Sequence, residues 1–467
     1  MQGVSIFHML PAALTLAVFL FMGISSGKTV KKANDFDTGG HRAGVLLVTG
    51  NIIGTLVGGS STIGTAELSF RCGLSAWWFT LGAALGCVIL AVAMVGPVRR
   101  SGCATISQVI AQEFGQKTGT ITALLSMLGL IMNIIAQILA ANALIMAMFG
   151  LPAVVCAAIS VLLMFCYVLG GVKSTGMLGI VKTVLLYAAV VIGSAICLRN
   201  AGGFPAYYAQ LPHNTYFNLL GRGVQTDLGA GISVILGVLA TQTYIQAIIA
   251  AKSDRAARRG CLLCAVLIPP VGFGSILIGY FMRICHPEMH ANLAFPLFVI
   301  ENMPPVLGGV ILAGLLITVI GTGAGTALGL GTTIAQDLYR RYSNPHADEK
   351  KVLLVTRISI LFVMLVAASL TLGTLQSQVL TWGFLSMGLR AAALFIPFLC
   401  ALFLPGKLDA HSALLSTGSG IVVMILTSVF DVRFDPLLIG MLAAAAVAVT
   451  AQIFLCRREG KRLSEKH

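Results

Sequence analysis

The sequence contains few charged residues. Only 10% of its 467 residues are Asp, Glu, Lys or Arg, whereas 57% are hydrophobic. A water-soluble domain covers its surface with charged and polar side chains. No continuous stretch of this chain is polar enough to do so, which excludes a separate soluble catalytic domain.

Titratable groups are nearly absent from the apolar stretches. Of the 16 acidic residues, only Glu67 lies at the edge of such a stretch, where it could face a cavity. Histidines avoid the middle of every stretch, and the Cys-x-x-Cys pair Cys261 and Cys264 has no second pair. Haem, zinc and a proton relay all need such groups in clusters or chains. The absences predict a protein that is not an enzyme, and they favour neutral oxygen atoms as ion ligands.

The apolar residues form repeated blocks of membrane-spanning length. A bilayer core of about 30 Å needs about 20 apolar residues in a helix. The candidate spans, joined by short polar links, are residues 5–25, 43–66, 76–98, 119–149, 152–171, 177–198, 228–251, 260–284, 307–336, 352–373, 376–404, 411–430 and 436–456. The sequence therefore predicts an all-α polytopic membrane protein with about 13 transmembrane helices.

Lysine and arginine are distributed unevenly between the links. Alternate links hold most of the 30 Lys and Arg residues, and basic links face the cytoplasm. This pattern predicts a multi-pass protein of the cell membrane with its N-terminus outside and its C-terminus, from Arg457 onward, in the cytoplasm. The net charge of +14 then reflects topology and contact with membrane lipid, and no nucleic-acid partner is expected.

Two glycine-rich runs interrupt the spans. They cover residues 50–67 in the second span and 318–329 in the ninth, and both also carry hydroxyl side chains. Each glycine weakens a helix by about 1 kcal/mol relative to alanine, and an unwound helix frees carbonyl oxygens that can bind sodium. The runs predict broken second and ninth helices. The alternative is close helix packing through small residues.

Five segments, in the right order along the chain, resemble the sodium:solute symporter family. The second of them is most similar to the choline-transporter-like branch of that family. The segments are Asn34–Arg42, Gly58–Glu67, Tyr167–Lys173, Gln242–Ser253 with Ala256–Gly260, and Gln336–Tyr339.

The resemblance implies a leucine-transporter-type core in which the second to sixth and seventh to eleventh helices form two inverted five-helix repeats. It implies alternating access, with sodium moving down its gradient to drive solute uptake. The expected division of the chain is 1–30, the first transmembrane helix; 31–404, the inverted-repeat transport core; 405–456, two accessory C-terminal helices; and 457–467, a cytoplasmic tail.

The resemblance also implies a sodium site. It assigns the ligands to the carbonyl groups of Gly54, Val57 and Thr318 and to the hydroxyl of Thr322. The family has a further hydroxyl at position 321, which Gly321 cannot supply, although Thr318 could turn its own side chain inward as a substitute. Sodium is expected as a transported ion and not as a tightly bound cofactor.

The solute is expected near the middle of the membrane, beside the helix breaks. The resemblance points to Ser60, Ser61 and Thr241, and Gln242 is close enough to contribute. Three further polar residues on the fourth span either contact the solute or form hydrogen bonds between helices. They are Asn133, Gln137 and Asn142.

Four charged residues within or beside spans need separate interpretations. Arg390, deep in the eleventh span, is either a clamp for a substrate carboxylate or a structural tie between helices. A bound carboxylate would offset the cost of burying the cation, which slightly favours an anionic or zwitterionic solute over a sugar. Glu67 is expected to act on access. Lys182 and Arg357 are expected to extend to the cytoplasmic surface.

These features predict a secondary active transporter that carries a small organic solute with sodium by alternating access. The solute is an amino acid, organic acid, sugar or quaternary amine. The alternatives are a proton-coupled or sodium-independent transporter of the same fold, or a membrane sensor.

Overall fold

In the computed structural model the chain forms a helical bundle. The structure describes residues 6–27, 43–103, 105–168, 171–374, 377–430 and 436–464. The helices of the first half are α1 (Ile6–Gly27), α2 (Val45–Leu56), α3 (Thr65–Cys72), α4 (Trp78–Ile89), α5 (Val95–Arg100), α6 (Ile106–Phe114), α7 (Gln116–Phe149), α8 (Ala153–Val168), α9 (Gly171–Ala201), α10 (Phe204–Gln210) and α11 (His213–Tyr216).

The second half continues in the same way. Its helices are α12 (Val224–Leu239), α13 (Gln242–Ala250), α14 (Asp254–Cys285), α15 (Ala294–Asn302), α16 (Pro305–Thr333), α17 (Glu349–Leu372), α18 (Val379–Phe403), α19 (Ala410–Val429) and α20 (Pro436–Ser464). Of the predicted motifs, Asn34–Arg42 lies outside the described residues.

The predicted all-helical membrane architecture is confirmed, although the count of thirteen is not. Within the described residues, nine helical stretches are long and apolar enough to cross a membrane, or ten if the bent pair α12 and α13 forms one span. Three of the thirteen predicted blocks correspond to shorter apolar helices, at Ile6–Val18, Val45–Leu56 and Ala153–Val168.

The second span is broken where its glycines predict. Helix α2 ends at Leu56, the C-cap residue Val57 is extended, and a π-helical turn at Ser60–Gly64 leads into α3. The amides of Gly58 and Gly59 therefore leave the regular helical hydrogen-bond pattern and bond to side chains instead, which frees backbone carbonyl groups in the interior.

The predicted break in the ninth span is wrong. Helix α16 runs without interruption through its glycine-rich run. A β-carbon at Gly323 would lie 2.9 Å from Met164 Sδ, and one at Gly331 would lie 3.0 Å from the Thr356 carbonyl oxygen. The glycines let α8 and α17 approach α16 closely, which is the packing alternative.

The second interruption lies in the seventh span. Helices α12 and α13 meet at an angle of 43°, with Thr241 in an extended conformation between them. The family resemblance places this span at the start of the second expected inverted repeat and the broken second span at the start of the first. Of the candidate membrane spans among the described residues, the one that contains α16 is the most deeply buried, and α16 packs against α2, α7, α8 and α9. The two breaks and α16 therefore define the centre of the bundle.

Candidate functional site

The break in the second span is held by its own hydroxyl groups. Ser61 Oγ accepts a hydrogen bond of 2.9 Å from the Gly58 amide, and Thr62 Oγ1 donates one of 2.8 Å to the Gly58 carbonyl. Ser61, a predicted solute ligand, thus contacts the backbone of the break itself.

The four predicted sodium ligands come together. The Thr322 hydroxyl oxygen on α16 lies near three carbonyl oxygens: 3.3 Å from that of Gly54, 3.2 Å from that of Val57 and 3.0 Å from that of Thr318. The Thr318 side chain does not compensate for Gly321, because its hydroxyl donates to the Gly314 carbonyl at 2.7 Å. All four proposed ligands are buried: Thr318 is 0% exposed, Val57 and Thr322 are 1% exposed, and Gly54 is also buried.

Lys182 reaches the same oxygens. Its ammonium group on α9 donates to the Gly54 carbonyl, to Thr322 Oγ1 at 3.0 Å and to the Thr318 carbonyl at 3.4 Å. The residue is only 1% exposed, so the prediction that it extends to the membrane surface is wrong. Its position near the end of an apolar block gave no sign of this, because depth in the bundle depends on the helices packed around it.

A polar chain connects the break to α16. Gln137 Oε1 accepts a hydrogen bond of 2.8 Å from the Gly59 amide, and Gln137 Nε2 donates to Asn133 Oδ1 at 3.2 Å. Asn133 Nδ2 then donates to Thr326 Oγ1 at 2.8 Å, and Thr326 donates to the Thr322 carbonyl at 2.9 Å. The interhelical alternative is thereby confirmed for Gln137 and Asn133.

Arg390 on α18 ties the second interruption to its neighbours. Its guanidinium donates to Thr241 Oγ1 at 2.7 Å, to the Ser386 carbonyl at 3.0 Å and to Ser386 Oγ at 3.0 Å. These protein groups accept from most of the guanidinium N–H groups, so the contacts favour the structural tie. The neighbouring Gln242 accepts a hydrogen bond of 2.8 Å from the Ile106 amide at the start of α6.

Two buried polar side chains near the first break are left without partners. Within the described part of the chain, neither Ser60 Oγ nor the Asn142 carboxamide has a hydrogen-bond partner, although both residues are at least nine-tenths buried. Buried polar groups are usually paired, so the unpaired carboxamide of Asn142, which lines a cavity, indicates a place for a ligand. Sequence reasoning identified Ser60 by resemblance and left Asn142 undecided.

A cavity of about 530 Å³ opens beside Asn142, toward the end of the bundle where α3 lies. Glu67 is 2% exposed, and its Oε2 accepts a hydrogen bond of 3.1 Å from the Val379 amide. Its position on this cavity agrees with the expectation that it faces an access route. The charged and polar residues of the wall are Glu67, Arg71, Asn142, His290 and Asn292.

Comparison with known proteins gives a consistent result. The model of the sodium:solute symporter family matches residues 36–420. The high-affinity choline transporter 1 of Caenorhabditis elegans is 22% identical over 88% of this chain and 76% of its own length. The human high-affinity choline transporter 1 is 22% identical over 86% of this chain and 72% of its own length.

Solved structures share the fold. A Na+-coupled sialic acid symporter, in a substrate-bound outward-open state, superposes with a TM-score of 0.82 at 16% identity, covering 96% of this chain and 98% of its own. The nucleobase-cation-symport-1 family transporter Mhp1, in a closed conformation, gives a TM-score of 0.54 at 15% identity over 91% of this chain and 96% of its own.

Proposed function

The chain belongs to the sodium:solute symporter family, and on that premise we propose where it binds sodium and which class of solute it carries. It is a multi-pass membrane transporter that couples the movement of a small organic solute to sodium. The family consists of transporters and not of enzymes.

The proposed sodium site consists of the carbonyl oxygens of Gly54, Val57 and Thr318 and the hydroxyl of Thr322. The observation that carries this proposal is the convergence of these four groups. Helices α2 and α16 are more than 200 residues apart in the sequence, yet the Thr322 hydroxyl oxygen is within 3.3 Å of all three carbonyl oxygens. Neutral oxygens freed at a helix break are the ligands that such transporters use for sodium.

The proposed solute contains a positively charged nitrogen, as an amine or quaternary amine does, with or without a carboxylate. Glu67 supports this class because its buried carboxylate lines the cavity and forms no ion pair within the described residues. The names of the relatives, which are choline transporters, support the same class. Asn142, which lines the same cavity, offers unpaired polar atoms for the rest of the solute.

The solute class can be tested by thermal-shift screening of the purified protein in sodium chloride. Choline, betaine and amino acids are expected to raise the melting temperature, and Glu67→Gln is expected to weaken their binding at least about tenfold. This variant preserves the acceptor for the Val379 amide and removes only the charge, and loss of one partner of a buried charge pair costs about 2–5 kcal/mol.

Glu288→Gln is the matched control, because Glu288 is exposed in a link and should leave solute binding unchanged. Stabilisation by a sugar or a dicarboxylate alone, unaffected by Glu67→Gln, would contradict the proposed solute class.

The orientation of the chain is a separate proposal that rests on its basic links. Reporter fusions after Arg259 and after Arg458 are both expected to report a cytoplasmic location, because these links are rich in lysine and arginine. Reports from opposite sides of the membrane would show that the number of spans between these two positions is odd and that the proposed topology is wrong.

A further inference from the structure

The ammonium group of Lys182 occupies the position proposed for sodium. It donates to Thr322 Oγ1 at 3.0 Å and to the carbonyl groups of Gly54 and Thr318, which are three of the four proposed ligands. An ammonium donates its hydrogens to the same lone pairs that a sodium ion would coordinate. One set of oxygens cannot serve both cations at once.

The glycine at position 321 lies beside the stem of this lysine. A β-carbon at Gly321 would lie 3.5 Å from Lys182 Cδ and 2.9 Å from the Tyr167 hydroxyl oxygen. A side chain at this position would press on Tyr167, whereas its β-carbon would touch the lysine stem at an ordinary van der Waals distance. Gly321 therefore supplies no hydroxyl to the site, and its small size serves the close approach of Tyr167.

The charge of Lys182 has no acidic partner nearby. None of the ion pairs formed by the described residues includes Lys182. The two helices that supply its acceptors, α2 and α16, contain no Asp, Glu, Lys, Arg or His. A buried cation at membrane depth is costly and needs compensating groups. Here the compensation consists of oxygens that are suited to any small cation.

We propose that the Lys182 ammonium is a tethered cation that competes with sodium for the site formed by Gly54, Val57, Thr318 and Thr322. The inference rests on the proposed location of the sodium site. Sodium enters when the lysine side chain withdraws, and the ammonium returns to the site when sodium leaves. One of the two cations therefore occupies the site in each state.

Competition of this kind weakens the apparent affinity for sodium. When only a fraction of the molecules has an open site, the apparent dissociation constant of the ligand equals its intrinsic dissociation constant divided by that fraction. If the lysine occupies the site nine-tenths of the time, the apparent Kd for sodium rises about tenfold. Removing the ammonium should reverse this effect.

The test measures sodium binding by the purified full-length protein, through thermal stabilisation in a sodium chloride titration with potassium chloride maintaining the ionic strength. Lys182→Met, which preserves the length of the side chain without its charge, is expected to lower the apparent Kd for sodium about tenfold. Lys182→Gln serves as a second variant in case the first fails to fold. Lys407→Met, at an exposed position in a link, is the matched control and should bind sodium as the unmodified protein does.

Adding Thr322→Ala to Lys182→Met separates the two proposals. Loss of the gained affinity in the double variant would support both the site and the competition. Equal sodium affinity with and without Lys182, weakened in each case by Thr322→Ala, would overturn the competition and leave the site in place. Sodium binding that is insensitive to both residues would overturn the site and the competition together.

Discussion

Replacing Gly58 by alanine is expected to reduce solute uptake to background. A β-carbon at Gly58 would lie 2.6 Å from Thr322 Oγ1 and 2.8 Å from Gln137 Oε1. Contacts this short force a displacement, and adding a methyl group to a closely packed interior costs about 1–3 kcal/mol. The displaced groups are the Thr322 hydroxyl of the proposed sodium site and the Gln137 carboxamide, which accepts a hydrogen bond from the Gly59 amide.

The measurement is uptake into proteoliposomes of the compound identified by the thermal-shift screen, together with the melting temperature of the purified variant. Gly418→Ala is the control, because a β-carbon there meets nothing within 4 Å and alanine favours a helix by about 0.5–1 kcal/mol. Uptake by Gly58→Ala at the level of the Gly418→Ala variant would show that the close approach of the break to α16 is dispensable.

Replacing Gln137 by leucine is expected to lower the uptake rate by about tenfold or more. The substitution leaves the buried Gly59 amide without its acceptor, and an unpaired buried donor costs about 1–3 kcal/mol, of which each 1.4 kcal/mol corresponds to a factor of ten. It also removes the donor to Asn133 and so disconnects the break from the polar chain that ends at Thr322.

Uptake and melting temperature can be compared with those of Gln210→Leu, which makes the same change at an exposed position in α10. Indistinguishable values for the two variants would mean that water or another group satisfies the Gly59 amide, and the role assigned to Gln137 would be withdrawn.

Much of the fold could be predicted because its signals are local. Apolar blocks of spanning length indicate membrane helices wherever they occur, since the bilayer itself sets the requirement. The glycines near Gly54 and Gly58 predicted the break in the second span for a similar reason, because a helix weakened at several adjacent positions opens easily.

The same reasoning failed for the ninth span. It also contains a glycine-rich run, yet α16 stays intact because Met164, Tyr167 and Thr356 pack directly against the glycine surface. Whether a glycine run opens a helix or admits a neighbour depends on the facing helix, which local sequence does not describe. The family resemblance identified the Thr322 hydroxyl as a sodium ligand. Only the packing of α2, α9 and α16 showed that the Lys182 ammonium lies beside it.

By itself the sequence determined that this protein is a membrane-embedded helical protein and where its chain first breaks, because hydropathy and helix propensity act within a few residues of each other. The tertiary structure alone decided which polar atoms meet. It directed Arg390 to Thr241, left Asn142 unpaired, and brought Lys182 to the oxygens of Gly54 and Thr322. These contacts join residues more than 100 positions apart, and a charge buried at such a contact acquires its partners from the packing of the whole bundle.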